Sequence, residues 1–318
     1  FTIVYLLSGS PNLTTIELAI YQSIIFDADL MRAILLGMTQ LIIIMVISLS
    51  LISKTNTFST FASFKKSYHI IDKPIFIDYF FWIIITYFSI PFLVLIKGIF
   101  SFNLQSLLTV NFLNSFLNSL LVSIISLTIS SILTLSSLNI YRSFLDNNSS
   151  FHKIIFISIA ILLFVPSLSL SAMIFYFNFQ LNFIFKSIWI VSIINSFFIT
   201  PIMFIFLSSK FIENHNSEYR NTLLFNIKSL TRLIKIDLPK IRYEFLLVST
   251  TVFVLSLGDL TSVTIFNNSS FKTIPLYISQ LYSNYRYNDA FFILSLFIIF
   301  IFLIMFLPTF LLQKNAKN

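Results

Sequence analysis

Seven runs of some 20 or more mostly apolar residues, separated by short polar joints, leave few folds open to this chain. They lie at about 33–53, 79–97, 115–140, 154–177, 184–208, 243–263 and 290–312. A hydrocarbon core about 30 Å thick takes about 20 residues of helix, so each run has the length of one membrane crossing. Apolar side chains occur all round these segments rather than in one stripe, as a helix in lipid or deep in a bundle requires. Pro166 and Pro201 interrupt two of them. The expected fold is an all-α polytopic membrane protein with about seven transmembrane helices, and residues 1–7 read as the stub of a further one. Charged residues make up 10% of the chain, against about 25% in a soluble domain, too few to build a water-facing surface.

Several chemistries drop out. The chain has no Cys, which removes disulfides, iron–sulfur clusters, thiolate metal sites and cysteine nucleophiles. His69, His152 and His215 fall in the expected loops, where they read as solvated side chains rather than proton relays or haem ligands. No G-x(4)-G-K-[ST] motif occurs, so no ATP site is expected. No catalytic, cofactor-binding or metal-ligating set emerges. The chain opens on Phe1 without an initiator Met or a basic stretch leading into an apolar run, so a signal peptide is not expected. It reads as a piece, or a decayed remnant, of something longer.

Lys and Arg set the orientation. Taken alternately, one set of joints and ends holds fifteen of them, including Lys65, Lys66, Arg142, Lys210, Lys228, Arg232 and Lys314, and the other holds only Arg32, Lys97, Lys186, Lys272 and Arg286. The basic set, with the 54–78 linker, the 209–242 loop and the C-terminus, is expected in the cytoplasm. The formal net charge of +8 is thus a topology signal, not a nucleic-acid footprint.

A repeat exposes the organisation. Thr15-Ile16-x-Leu18-x-Ile20-x-Gln22 recurs 258 residues later as Thr273-Ile274-x-Leu276-x-Ile278-x-Gln280, each copy between an apolar stretch and a long final run. The simplest account is two homologous halves: the tail of a first (1–53), a cytoplasmic linker (54–78) and a complete second (79–318). The 209–242 loop carries Leu223, Leu224, Ile227, Leu230, Leu233 and Ile234 at helical spacing, which predicts one short amphipathic helix. Such a helix would lie on lipid or dock on a partner. Asn226 is followed ten residues on by Ile236-Asp237-Leu238-Pro239, the pattern G-x(9)-I-x-L-P with Asn in the Gly position.

That spacing resembles the cytoplasmic coupling loop of ATP-binding-cassette (ABC) importer permeases. The wider chain resembles the thiamine permeases of that class, fused proteins of two six-helix halves, most closely at Thr14 to Gln22, Leu255 to Asp259, Phe271 to Tyr277 and Ser283 to Arg286. The resemblance implies the transmembrane domain of a type I importer in a bacterial inner membrane, bound to two copies of an ATP-binding subunit inside and to a periplasmic substrate-binding protein outside. It implies that Asn226, Ile236, Leu238 and Pro239 serve ATPase coupling, Asn being the next best residue after Gly at a left-handed turn. The leading E-A-A of the motif is replaced by Arg220-Asn221-Thr222. A permease for ferric iron or another small solute fits the same motif, and so does an inactive remnant. A secondary transporter would show more ionisable groups at the membrane midplane.

Asp259 is the one acidic residue near the core of an expected span. It reads either as part of the substrate path, favouring a cation with aromatic help, or as a helix cap near the outer interface. Trp82, Trp189, Tyr285 and Tyr287 sit near span ends as interfacial belt residues. The outer segments 8–31 and 264–289, with Tyr277, Gln280 and Arg286, are either contacts for the binding protein or loops packed on the bundle.

Overall fold

The structure, a computed structural model, describes residues 15–54, 75–100, 109–146, 151–180, 186–225, 227–268 and 271–315. The stub at 1–7, nearly all of the 54–78 linker with His69, and Asn226 lie outside the described residues. What is described holds no strand. The helices are α1 (Ile16–Ile25), α2 (Leu30–Lys54), α3 (Ile75–Phe100), α4 (Val110–Asp146), α5 (Phe151–Ile161) and α6 (Ser167–Gln180). They continue with α7 (Ser187–Leu224), α8 (Ser229–Arg232), α9 (Leu238–Leu257), α10 (Thr261–Phe266), α11 (Ile274–Ser283) and α12 (Tyr287–Asn315).

The chain is an all-α polytopic membrane protein. Among the described residues, five helical stretches are long and apolar enough to cross a bilayer, six counting one bent pair, and α3 covers the remaining expected run. The expected 154–177 span is not one rod. It turns through 88° between α5 and α6, where a short 3₁₀ turn at Leu162–Phe164 meets extended Val165 and Pro166. Pro restricts the residue before it to extended backbone and lacks an N–H, so the helix ends there and restarts. Pro201 instead sits inside an unbroken α7. The 243–263 span stops at Leu257 and resumes at Thr261 as α10.

At the centre stands α7, whose apolar window is 67% buried, whereas that of α2 is 11% buried and faces outward. The most extensive packing in the molecule joins α4 to α7. Every fourth or third residue of α4 on that side is small and buried, namely Ser115, Ser119, Ser123, Ser126, Ser130 and Thr134. Helices in lipid gain little from hydrophobic exclusion and associate by close van der Waals contact, which small residues permit. Their hydroxyls are largely satisfied locally. Ser123 donates to the Ser119 carbonyl at 2.8 Å, and Ser126, back-bonded to Val122, also lies 3.1 Å from the Ser192 carbonyl oxygen on α7. A second close approach joins α3 to α12, where a Cβ on Gly98 would stand 2.5 Å from the Phe291 carbonyl oxygen.

The two copies of the sequence repeat fold alike. Both α1 and α11 are ten-residue helices preceded by an extended Thr, Thr15 and Thr273. Each is followed within a few residues by a left-handed non-glycine residue, Ala28 at φ 51° and Tyr285 at φ 61°, and then by a long helix. Their anchorage differs. Thr15 Oγ1 accepts from the Leu18 N–H at 3.3 Å, whereas the first N–H of α11, on Ile274, donates to Ser119 Oγ of α4 at 2.8 Å. Asn118 reinforces this by donating to the Lys272 carbonyl at 3.1 Å. α1 and α2 pack on α6, where Ser169 donates to Gln40 Oε1 at 2.8 Å.

Candidate functional site

Two places, at opposite ends of α9, gather polar groups. The first lies beyond the bundle. α4 has 37 residues and α7 has 38, and about 1.5 Å of rise per residue makes each about 55 Å long, well beyond a bilayer core. The 209–242 segment is therefore mostly helical rather than a loop, since α7 runs on to Leu224. The amphipathic stretch expected as one helix is split: Leu223 and Leu224 close α7, and Leu230, Leu233 and Ile234 belong to α8 and a π turn at Leu233–Asp237. Asn226 falls in the interval between α7 and α8. Leu233 turns into the core, while Leu224, Phe225, Leu230 and Ile234 are exposed. They form an apolar tip outside any span, flanked by exposed Lys228 and Lys235. Ile236 and Leu238 are half-buried, Leu238 against the cluster of Leu207, Phe211 and Ile241. Pro239 is exposed in the first turn of α9, where its missing N–H costs no helix bond.

Behind the tip lies a charge cluster that the sequence reading missed. Arg142, only 2% exposed near the end of α4, donates to the equally buried Asp237 carboxylate. Its other nitrogen donates to Asn139 Oδ1 at 2.5 Å, to the Ser229 carbonyl at 2.9 Å and to Ser229 Oγ at 3.0 Å, and the guanidinium faces the Phe211 ring of α7 at 5.5 Å. Arg232 approaches the same Asp237 oxygen at 3.9 Å and meets His215 Nδ1 at 3.2 Å. His215 is thus a buried residue of α7, not the solvated loop residue expected. Asp237 occupies the N-cap position of α9 yet makes no capping bond; its carboxylate turns to Arg142 instead. Burial pushes that carboxyl above its ordinary value, with Arg142 and Arg232 acting the other way. A signal was available: Asp237 is the one acid among six bases between Arg220 and Arg242.

The second place is a cavity of about 310 Å³ beyond the other end of α9, walled by Leu163 and Val165 of the α5/α6 break, Asn195 and Phe198 of α7, Ser256 and Asp259. Asp259 is half-buried. It restarts the helix, accepting from the Thr261 N–H at 3.1 Å and hydroxyl at 2.6 Å and from the Ser262 hydroxyl, and it lines the cavity. Asn195 extends this network, donating to Ser256 Oγ at 3.3 Å and lying 3.0 Å from the Ser262 hydroxyl. Of the outer residues, Tyr277 is buried within 3.4 Å of Thr109 Oγ1, and Arg286 pairs with Asp289. Trp82, Trp189, Tyr285 and Tyr287 are exposed.

Fold and sites define a multi-pass, all-helical membrane protein with a protruding basic end and a mostly apolar cavity that Asn195, Ser256 and Asp259 edge with polar groups. In sequence it is similar to the thiamine transport system permease protein ThiP of Haemophilus influenzae, 28% identical over 312 residues, covering 91% of this chain and 55% of that protein. ThiP of Brucella suis is 25% identical over 307 residues, with 91% and 54% covered, and ThiP of Brucella abortus 24% over 303. The chain spans about half the length of these curated relatives. No protein-family model matches it.

Proposed function

We propose that this chain is the membrane-spanning permease subunit of an ABC importer, carrying thiamine or its phosphates into the cytoplasm with ATP hydrolysis on a separate subunit. The observation that carries this reading is the similarity to thiamine permeases across 91% of the chain. The geometry supports it. An ATP-binding subunit needs something to grip, and the apolar tip at Leu224, Phe225, Leu230 and Ile234 is an exposed patch outside the lipid, the usual mark of a partner surface. In this reading Asn226 makes the bend behind the tip, and Ile236, Leu238 and Pro239 lead it back into α9. In this reading that end and the C-terminus lie in the cytoplasm of an inner membrane, which the basic residues around the tip support. The matched folds of α1 and α11 support two homologous halves, 1–53 ending the first and 79–318 forming the second. Two copies of the ATPase need two tips, so the second comes from further sequence or another copy of the chain. A periplasmic binding protein meets the α1 and α11 end. Asp259 offers an anion to a cation crossing the cavity.

Uptake of radiolabelled thiamine is the test, in cells lacking their own permease and supplied with the full reading frame, an ATP-binding subunit and a binding protein. Uptake that vanishes on deletion of 220–239 while membrane insertion persists is the expected result. No uptake by the well-inserted unaltered protein overturns the thiamine assignment and turns the search to ferric iron and other solutes. Uptake indifferent to the deletion overturns the coupling role.

A further inference from the structure

The apolar tip can transmit motion only if it is fixed to the bundle. The α8 turn continues through the π turn at Leu233–Asp237 into α9, so it is the exposed start of that helix, with Leu233 buried and Leu230 and Ile234 exposed. The Arg142 guanidinium ties this start to the neighbouring α4. It reaches from the end of α4 to the far side of the segment at Asp237 and to its near side at Ser229, both backbone oxygen and hydroxyl. Asn139, one turn back on α4, accepts from the Ser229 hydroxyl at 2.6 Å and completes a triangle. From the α7 side His215 meets Arg232, so both protruding helices clasp the segment.

We infer that Arg142, with Asp237 as its counter-ion, is a positioning residue that locks the 229–237 segment to α4, so that a push on the exposed tip moves α9 and α4 together. The planar fork of Arg suits this role, because one side chain binds a carboxylate and a carbonyl in fixed directions. Burial makes the loss of either partner costly, although Arg232 at 3.9 Å still faces Asp237 when Arg142 is removed. The coupling half of this inference rests on the permease reading; the locking half does not.

The absence of cysteine allows both halves to be read on the full-length protein. Ile140→Cys and Leu230→Cys, both exposed and on opposite sides of the lock, accept spin labels without background. Pulsed electron–electron resonance in lipid nanodiscs should give one narrow distance distribution for the parent, a broad one for Arg142→Met and for Asp237→Asn, and an intermediate one for Arg142→Lys, which keeps the charge and loses the fork. In proteoliposomes with the ATP-binding subunit and binding protein, the same variants without labels should keep ATP hydrolysis within about twofold while thiamine delivered per ATP falls at least tenfold. Should Arg142→Met fail to insert, Asp237→Asn and Arg142→Lys carry both measurements. Distributions as narrow as the parent's in every variant overturn the lock. Broad distributions with an unchanged thiamine-to-ATP ratio overturn its part in transmission. If the parent itself neither stimulates the ATPase nor moves thiamine, the permease reading fails alone, and the distances still decide the lock.

Discussion

Asp259 was visible from sequence because an acid within an apolar run stands out, but its two readings could not be separated there, since a cap and a cavity wall differ only in three dimensions. In the structure the side chain bonds the start of α10 and stands on the cavity wall, while the substrate role stays a proposal. The roles part in Asp259→Asn, which keeps the volume and an acceptor oxygen for Thr261 while removing the charge. On the importer reading proposed above, the half-saturating concentration for uptake of cationic thiamine is expected to rise about tenfold, about 1.4 kcal/mol, with insertion unchanged; an unaltered value in uptake kinetics leaves Asp259 as a cap alone. Arg142 was harder to see. It was counted among fifteen bases as a topology signal, and nothing local marks a basic residue as buried when its partner is 95 positions away. His215 was misplaced for a related reason, because α7 continues well past its apolar stretch and carries a polar sequence into a buried position.

At the level of elements, the apolar runs marked where helices exist and the prolines marked where one breaks, but not by how much. Pro166 could have kinked α5 into α6 gently; the 3₁₀ turn before it and the extended Val165 make the turn 88°. Contacts between elements were less legible still. Gly98 carries no sequence pattern, yet its missing Cβ lets the α3 backbone approach the Phe291 carbonyl of α12. Gly98→Ala is expected to cost about 1–3 kcal/mol through forced separation of the two helices, read as a lower thermal midpoint of the detergent-solubilised protein. Ser119 belongs to a stripe that reads as helix packing, and its second task, capping α11, appears only when the repeat folds against it. Ser119→Ala should strand the Ile274 N–H at a cost of about 1–3 kcal/mol, and hydrogen exchange at Ile274 should quicken while Leu18, whose N–H is held by Thr15 in α1, keeps its rate.

The class of the whole molecule was legible because a bilayer imposes length and apolarity on every crossing, and because a repeat survives wherever both copies keep their turns. The orientation proposed from charge can be checked directly in a chain without cysteine. Leu230→Cys should react with a membrane-impermeant maleimide only after cells are opened, and Tyr285→Cys in intact cells whose outer membrane has been permeabilised; the reverse pattern would invert the molecule. One element connects its two ends. With 20 residues, α9 is about 30 Å long, rooted at Asp237 in the charged clasp and ending beside the cavity that Asp259 lines. A helix of that kind can act as a lever: a tilt of about 5° about its clasped end swings the other tip by about 3 Å, close to the width of a water molecule and enough to change the width of a cavity of this size.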